Sequence, residues 1–240
     1  MPGIYGRSLG SHGSDQLVKK AQNNYHNSTS RISYMRRVGR NETDNMPIRL
    51  FKNPVFECMT LLSFPIFLVV WGLILSVALV YAFSHAFSVK SLVACFFVGW
   101  IIWFPMEYLL HRFLFHLKGT SVFVKSMVFL IHGNHHEQPN HPLRNLMPLS
   151  VSLPLAAVIW SGCVWLMGKG NGSAAAAGFI CGYIGYDIIH YSCHQFPMKS
   201  KWLKKLKAHH IKHHYKDHDA NYAITGIFID DIFRTNMKQK

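Results

Sequence analysis

The run Thr60–Phe83 holds 24 residues without one charged side chain. As a helix it would rise about 36 Å, more than the roughly 30 Å hydrocarbon core of a bilayer. In lipid the backbone has no water to bond with, so such a segment is restricted to a helix that satisfies its own polar groups. Three more stretches follow the same rule. Ser91–Pro105 is apolar and is continued helically by Met106–Leu117. Asn145–Met167 is the third, with Pro148 and Pro154 as candidate kinks. Ala174–Tyr191 is the fourth. The expected connectors are short: Ser84–Lys90 and the glycine-rich Gly168–Ser173. Val122–Ile131 is too short to span and is expected to be an interfacial or half-buried helix. The pattern predicts an all-α integral membrane protein built on a four-helix transmembrane bundle.

Charge supports this and orients it. Half of the 240 residues are hydrophobic, yet the net charge is +14. A soluble domain rarely combines the two, whereas a membrane protein with basic water-facing segments does so naturally. Nucleic-acid binding is set aside, because the basic residues border apolar spans and no DNA or RNA module pattern is visible. The first and third connectors carry one basic residue each, Lys90 and Lys169. Nearly all the others lie in the N-terminal tail, in 111–145 and in the C-terminal segment. The positive-inside tendency therefore places both termini and the middle segment in the cytosol. Residues 1–50 are expected to be a polar, basic, flexible cytosolic tail, with Arg36, Arg37, Arg40 and Arg49 available to anionic headgroups. Residues 51–240 are expected to be the membrane domain. The tail does not read as a secretory signal peptide. None of the five cysteines forms a C-x-x-C pair, so no thiolate zinc site is expected.

Ten of the 16 histidines fall into four clusters that border the apolar segments. They are His111 and His116; His132, His135 and His136; His190 and His194; and His210, His213 and His214. Neutral imidazole is a common metal ligand, and ten are too many for one ion and suit two. Residues three and four apart share a helix face, so the last three clusters each have ligand spacing. His111 and His116 are five apart and diverge by about 140° on an ideal helix. They either serve different ions, or the helix bends or ends between them. All four clusters fall on the cytosolic side of the four-span arrangement. A transporter or sensor would want its ligands midway through the spans, so that class is disfavoured. His141, His209 and His218 lie beside clusters but outside the strict spacing, as possible auxiliary residues. His12, His26 and His85 are expected to play no part.

Metal-bound imidazoles need partners on their free ring nitrogens. Glu107, four residues before His111, and Asp187, three before His190, are the carboxylates placed to orient them, and charge at membrane depth tends to be functional. Lys199–Lys216 is expected to be a basic helix that caps the site, with Trp202 and Leu206 turned toward the membrane and its lysines near phosphates.

The order H-x-x-x-x-H, H-x-x-H-H, H-x-x-x-H, H-x-x-H-H resembles the fatty acid hydroxylase family, and within it the sphingolipid fatty acyl 2-hydroxylases. The text around the clusters does so too: E-Y-L-L-H-R-F-L-F-H at 107–116, G-Y-D-I-I-H-Y at 185–191 and T-G-I-F-I-D-D-I-F-R-T at 225–235. The resemblance covers about residues 50–240. It implies an endoplasmic-reticulum membrane enzyme with a cytosolic helical cap and a dimetal centre held by the ten clustered histidines. It implies iron in the working enzyme, with zinc possible after purification, and hydroxylation at C2 of the acyl chain. Many relatives carry a fused haem domain, but residues 1–50 are too short for one and lack its H-P-G-G core. A separate b-type haem cytochrome and its reductase are therefore expected as partners. His141 stands where relatives often have Asp. Oxygen insertion into a C–H bond needs a redox metal, which zinc is not, and imidazole suits iron. The rival readings are a sterol, carotenoid or alkane oxidase, or a desaturase, of the same superfamily.

Overall fold

The structure, a computed structural model, describes residues 46–237. Residues 1–45 of the expected tail, including His12, His26, Arg36, Arg37 and Arg40, lie outside the described residues; Arg49 is described and donates to the Phe51 and Lys52 carbonyls at 2.9 and 2.5 Å. The described elements are helical, with no strand among them. A short helix α1 (Pro54–Cys58) precedes the first long helix α2 (Phe64–Ser84). Helix α3 (Val89–Leu109) runs on as a π turn, Leu110–Phe115. A short α4 (Val122–Val128), a second π turn (Phe129–Gly133) and one turn of α5 (Asn134–Glu137) follow. Helices α6 (Leu149–Met167) and α7 (Lys169–Gln195) complete the long set. Helices α8 (Lys201–Tyr215) and α9 (Phe228–Ile232) end the fold.

Four helices are long and apolar enough to cross a membrane: α2, α3 with its π turn, α6 and α7. Three of them bury only 6–22% of their most apolar window in protein, whereas α7 buries 67%. Such an exterior suits lipid rather than water, and α7 is the shaft around which the others pack. Its sequence explains why. The stripe Ala174–Ala177 and Gly178 let neighbouring backbones come close, the small-residue logic of membrane helix packing. A Cβ on Gly178 would overlap the Phe96 carbonyl of α3, and one on Gly99 would overlap the Ala175 carbonyl of α7. Below this crossing, Trp71, Trp103, Phe179 and Tyr183 fill the core edge to face.

The loop expected at Gly168–Ser173 is instead a single residue, Gly168, at φ +77°. Helix α7 starts directly behind it. The glycines after it serve proximity, not flexibility: a Cβ on Gly170 would press on the His85 carbonyl, and one on Gly172 on that of Cys163. Asn171 is correspondingly inside the helix and accepts from Ser91 Oγ at 2.8 Å. Pro148 caps α6 rather than kinking it, and Pro154 lies within it. Each short connector reverses the chain, and α3 runs parallel to α7, with Gly99 against Ala175 and Trp103 against Gly182, so the spans alternate in direction. The end of α3, the start of α6 and the end of α7 therefore meet at one face of the bundle, where α8 lies.

The close crossing of α3 and α7 makes a sharp prediction. Gly178→Leu should lower the thermal midpoint, since overpacking a fitted contact costs about 1–3 kcal/mol and here the obstacle is backbone. Gly185, also in α7, meets nothing within 4 Å, so Gly185→Ala should be neutral or stabilising by up to about 1 kcal/mol. Equal midpoints for the two variants would contradict this packing.

Candidate metal centre

The ten clustered histidines converge into two groups of five. One holds His111, His116, His132, His136 and His213, the other His135, His190, His194, His210 and His214. Within each, the ligand atoms lie within 4.8 Å of one another. Every ring presents Nε2. The Nε2–Nε2 separations are 3.1 Å for His111–His132, 3.0 Å for His132–His136 and 3.1 Å for His116–His213. In the second group they are 2.9 Å for His135–His190, 3.1 Å for His135–His214 and 2.8 Å for His194–His210.

Local geometry accounts for the partition. His111 with His116 and His190 with His194 each stay in one group, but the two H-x-x-H-H clusters are divided. His132 and His136, four apart, share the first group while His135 joins the second; His210 and His214 share the second while His213 joins the first. A step of four residues turns a helix by about 40° and a step of three by about 60° the other way. An H-x-x-H-H motif therefore straddles two centres. His111 and His116 are reconciled by the π turn between them, closed by the His116 N–H to the His111 carbonyl at 3.2 Å. The wider turn brings residues five apart onto one side.

Neutral nitrogen atoms facing one another at 3 Å repel unless a cation or a proton lies between them. In His111 and His213 the ring proton is on Nδ1, bonded to a backbone carbonyl, so Nε2 offers only a lone pair, and a second, charging proton is disfavoured throughout. Burial, reinforced by neighbouring imidazoles, pushes His213 down to about 3, and burial with the charges of His218 and Lys118 takes His116 to about 4. The same causes depress His132, His135 and His210 well below the ordinary histidine range. The residues thus fit two metal ions held by neutral imidazoles. In the metal-free protein, these depressed values make stability pH-dependent. The unfolded chain takes up protons near pH 6.5, while the folded sites resist until about 4 for His116 and 3 for His213. Stability should therefore be full above pH 6.5 and fall as pH drops below it. Thermal midpoints of chelator-stripped protein should show this between pH 7 and 5, and a flat profile would mean that the rings are open to solvent protons.

Other residues singled out from the sequence are placed as follows. Glu107 is buried and faces a loop, not an imidazole: its carboxylate accepts from Ile224 N–H at 2.5 Å, Thr225 N–H at 2.8 Å and the Thr225 hydroxyl. Asp187 is buried and faces Tyr183 and the backbone of Met147. It lines a cavity of about 30 Å³ together with His132, His135, His190, Tyr186 and Asn145. His209 bonds Asp230 through Nε2 at 2.9 Å. His218 packs its ring 4.6 Å from that of His136. His141 is buried in the turn after α5. These three lie outside both groups of five. His85 sits at the far end of α2, bonded to the Tyr81 carbonyl. On α8, Leu206 is fully buried while Trp202 is exposed. Asp230, Arg144 and Glu57 carry no ligand-like spacing, and only the fold shows their connections.

The fatty acid hydroxylase family model matches residues 96–235, more than half of the chain and all four histidine clusters. The chain belongs to this family. Among fatty acid hydroxylases it is 35% identical over 137 residues to the dihydroceramide fatty acyl 2-hydroxylase FAH2 of Arabidopsis thaliana, covering 57% of this chain and 58% of that protein. It is 30% identical over 187 residues to FAH1 of the same plant, covering 78% and 79%. Among solved structures it resembles that of full-length scs7p, in which only the hydroxylase domain is visible. The TM-score is 0.72 at 29% identity, over 78% of this chain and 71% of that one.

Proposed function

We propose that the chain is a membrane lipid hydroxylase that inserts one oxygen atom of O2 into the fatty acyl chain of a sphingolipid, at C2. The observation that carries the reading is the pair of five-histidine groups, built from ten imidazoles at the end of an apolar bundle. The ten histidines are taken as the ligands. A redox-active pair such as iron, bound there, would supply the activation of dioxygen that a C–H bond requires. Zinc binds imidazole more tightly than ferrous iron and would compete for the sites during purification. The likeness to dihydroceramide fatty acyl 2-hydroxylases supports the substrate class and the position.

The chain's own residues supply position and exclusion of water. The small cavity touches both groups, through His132 on one side and His135 and His190 on the other. At about 30 Å³ it has room for about one water-sized molecule. Admitting an acyl carbon requires the lining side chains to part. Besides the histidines, Arg144, Asn145, Tyr186 and Asp187 are the polar residues in that lining; the Asn145 amide and one Asp187 oxygen have no hydrogen-bond partner among the described residues and are placed to hold a small oxygen-bearing molecule beside the metals.

Electrons are proposed to come from a separate b-type haem cytochrome and its reductase. The exposed lysines of α8, Lys201, Lys204 and Lys205, form a field that would steer an acidic partner. Lys207 is already committed to the Phe196 carbonyl at 3.0 Å. The proposed setting is the endoplasmic-reticulum membrane, with the histidine face and both termini in the cytosol. Lipid mass spectrometry of cells with and without the chain tests the reaction: 2-hydroxylated sphingolipids should appear with it, and their absence alongside another oxidised lipid would move the reading to a sterol, carotenoid or alkane. Orientation is tested with Cys58→Ser protein carrying Phe87→Cys or Lys199→Cys. The two cysteines should react with an impermeant reagent from opposite sides, and reaction from one side would overturn the arrangement.

A further inference from the structure

We propose that the loop 220–225, held by Asp230 and Glu107, makes the two metal positions unequal, so that the group containing His111 and His213 releases its ion more slowly. The inference rests on the metal-pair reading above and concerns which residues fix the ligands.

The loop joins α8 to α9 and faces both ways. Its carbonyls point at the first histidine group. His111 donates from Nδ1 to the Tyr222 carbonyl, and His213 donates from Nδ1 to the Ala220 carbonyl at 2.7 Å. Such bonds fix the tautomer that leaves Nε2 free for a metal, and they lock the ring's orientation. Its N–H groups point away, into two buried carboxylates. Asp230 accepts from Tyr222 N–H at 3.0 Å and Ala223 N–H at 2.8 Å, and Glu107 takes the N–H groups of Ile224 and Thr225. Four consecutive amides are thus held by two acids. Asp230 is fully buried and is itself fixed by His209 at 2.9 Å and the Thr235 hydroxyl at 2.7 Å. Asn221 adopts φ +57° and ties the loop to the His209 carbonyl and to Met237 N–H.

The second group has less of this. His190 faces the Asn145 backbone without a well-formed hydrogen bond. The outer nitrogens of His135, His194, His210 and His214 have no hydrogen-bond partner among the described residues. In the first group that is also true of His136, but two of its five rings are held by the loop. Asp230 and Glu107 are positioning residues: they act on the metal through the loop and through His111 and His213. Loss of an interaction of this kind typically costs 10–100-fold in metal affinity.

The test uses the full chain in detergent, loaded with zinc and chased with a chromogenic chelator. Two zinc ions per chain should leave in two phases separated by about 10–100-fold in rate. His116→Ala should remove the slow phase and His194→Ala the fast one, which assigns them. Asp230→Asn should bring the slow phase up to the fast one and leave the fast one unchanged. Thr225→Val, which removes one bond to Glu107, should give an intermediate shift. It carries the test if Asp230→Asn does not fold. A single release phase for two zinc ions in the unmodified protein would overturn the proposal, as would variants that speed both phases equally. Fewer than two zinc ions in the unmodified protein would instead sink the metal-pair reading and the inference with it, and the total shows that independently of the phases.

Discussion

His135→Ala should reduce lipid hydroxylation to background and leave about one metal per chain, because a ligand set that loses a member loses much of its binding free energy. His135 is the most instructive ligand to remove. It is buried, its Nε2 lies 2.9 Å from that of His190 and 3.1 Å from that of His214, and it lines the cavity that touches both groups. It comes from the same motif as His132 and His136, which belong to the other group. Its removal should therefore empty one position and leave the other filled. Elemental analysis reads that directly, and His85→Ala, at the far end of α2, is the control that should keep both metals and full activity. Full activity with one metal would mean that a single ion suffices. Loss of both metals would mean that the groups bind as one cooperative unit.

How much of this was legible in the sequence depends on the range of the physics involved. The spans could be read because an uncharged run of bilayer length has one stable conformation in lipid. The ten histidines and their gathering at one face could be read because helical spacing and lysine bias are local signals. The partition of the histidines could not be read. It depends on a 100° difference between steps of three and four, and on a π turn at Leu110–Phe115 that nothing in L-H-R-F-L-F announces. The glycines at 168–173 were misleading for a different reason. Glycine marks both loops and close helix contacts, and only the partner helix decides between them. Glu107 was noticed for its depth in the membrane, but its target, the amides of Ile224 and Thr225, lies more than a hundred residues away. Asp230 and Arg144 leave no spacing to detect, because their partners are backbone groups or distant side chains.

Arg144→Ala should destabilise the fold by about 2–3 kcal/mol, because it removes a buried guanidinium whose hydrogen bond to a charged partner is worth about 1.5–3 kcal/mol, while the Glu57 carboxylate it leaves behind keeps some solvent. The Arg144 side chain is 1% exposed and its Nη2 lies 2.5 Å from Glu57 Oε1. The same guanidinium donates to the Ile48 carbonyl at 2.5 Å and to the Thr60 hydroxyl at 2.8 Å, while Glu57 Oε2 accepts from Leu50 and Phe51 N–H at 2.8 Å. This staple fastens the chain before α2 to the segment after the second histidine cluster, and Arg144 borders the cavity beside His132 and His135. Lysine should not rescue it, because the planar fork makes contacts in several directions that a single ammonium cannot. Arg144→Met combined with Glu57→Gln should recover part of the loss, since no charge is then left buried without its partner. Burial pushes the Glu57 carboxyl up, but the amides of Phe51 and Leu50 and the charge of Arg144 outweigh it and hold the group below its ordinary value. The staple is therefore complete above the unfolded carboxylate value, near pH 4.3, and weakens as pH falls through the lower folded value. Denaturant titrations at neutral pH and below pH 4 should show the gap between Arg144→Ala and the unmodified protein narrowing in acid. A gap that stays constant would mean that Arg144 acts through its carbonyl and hydroxyl contacts alone.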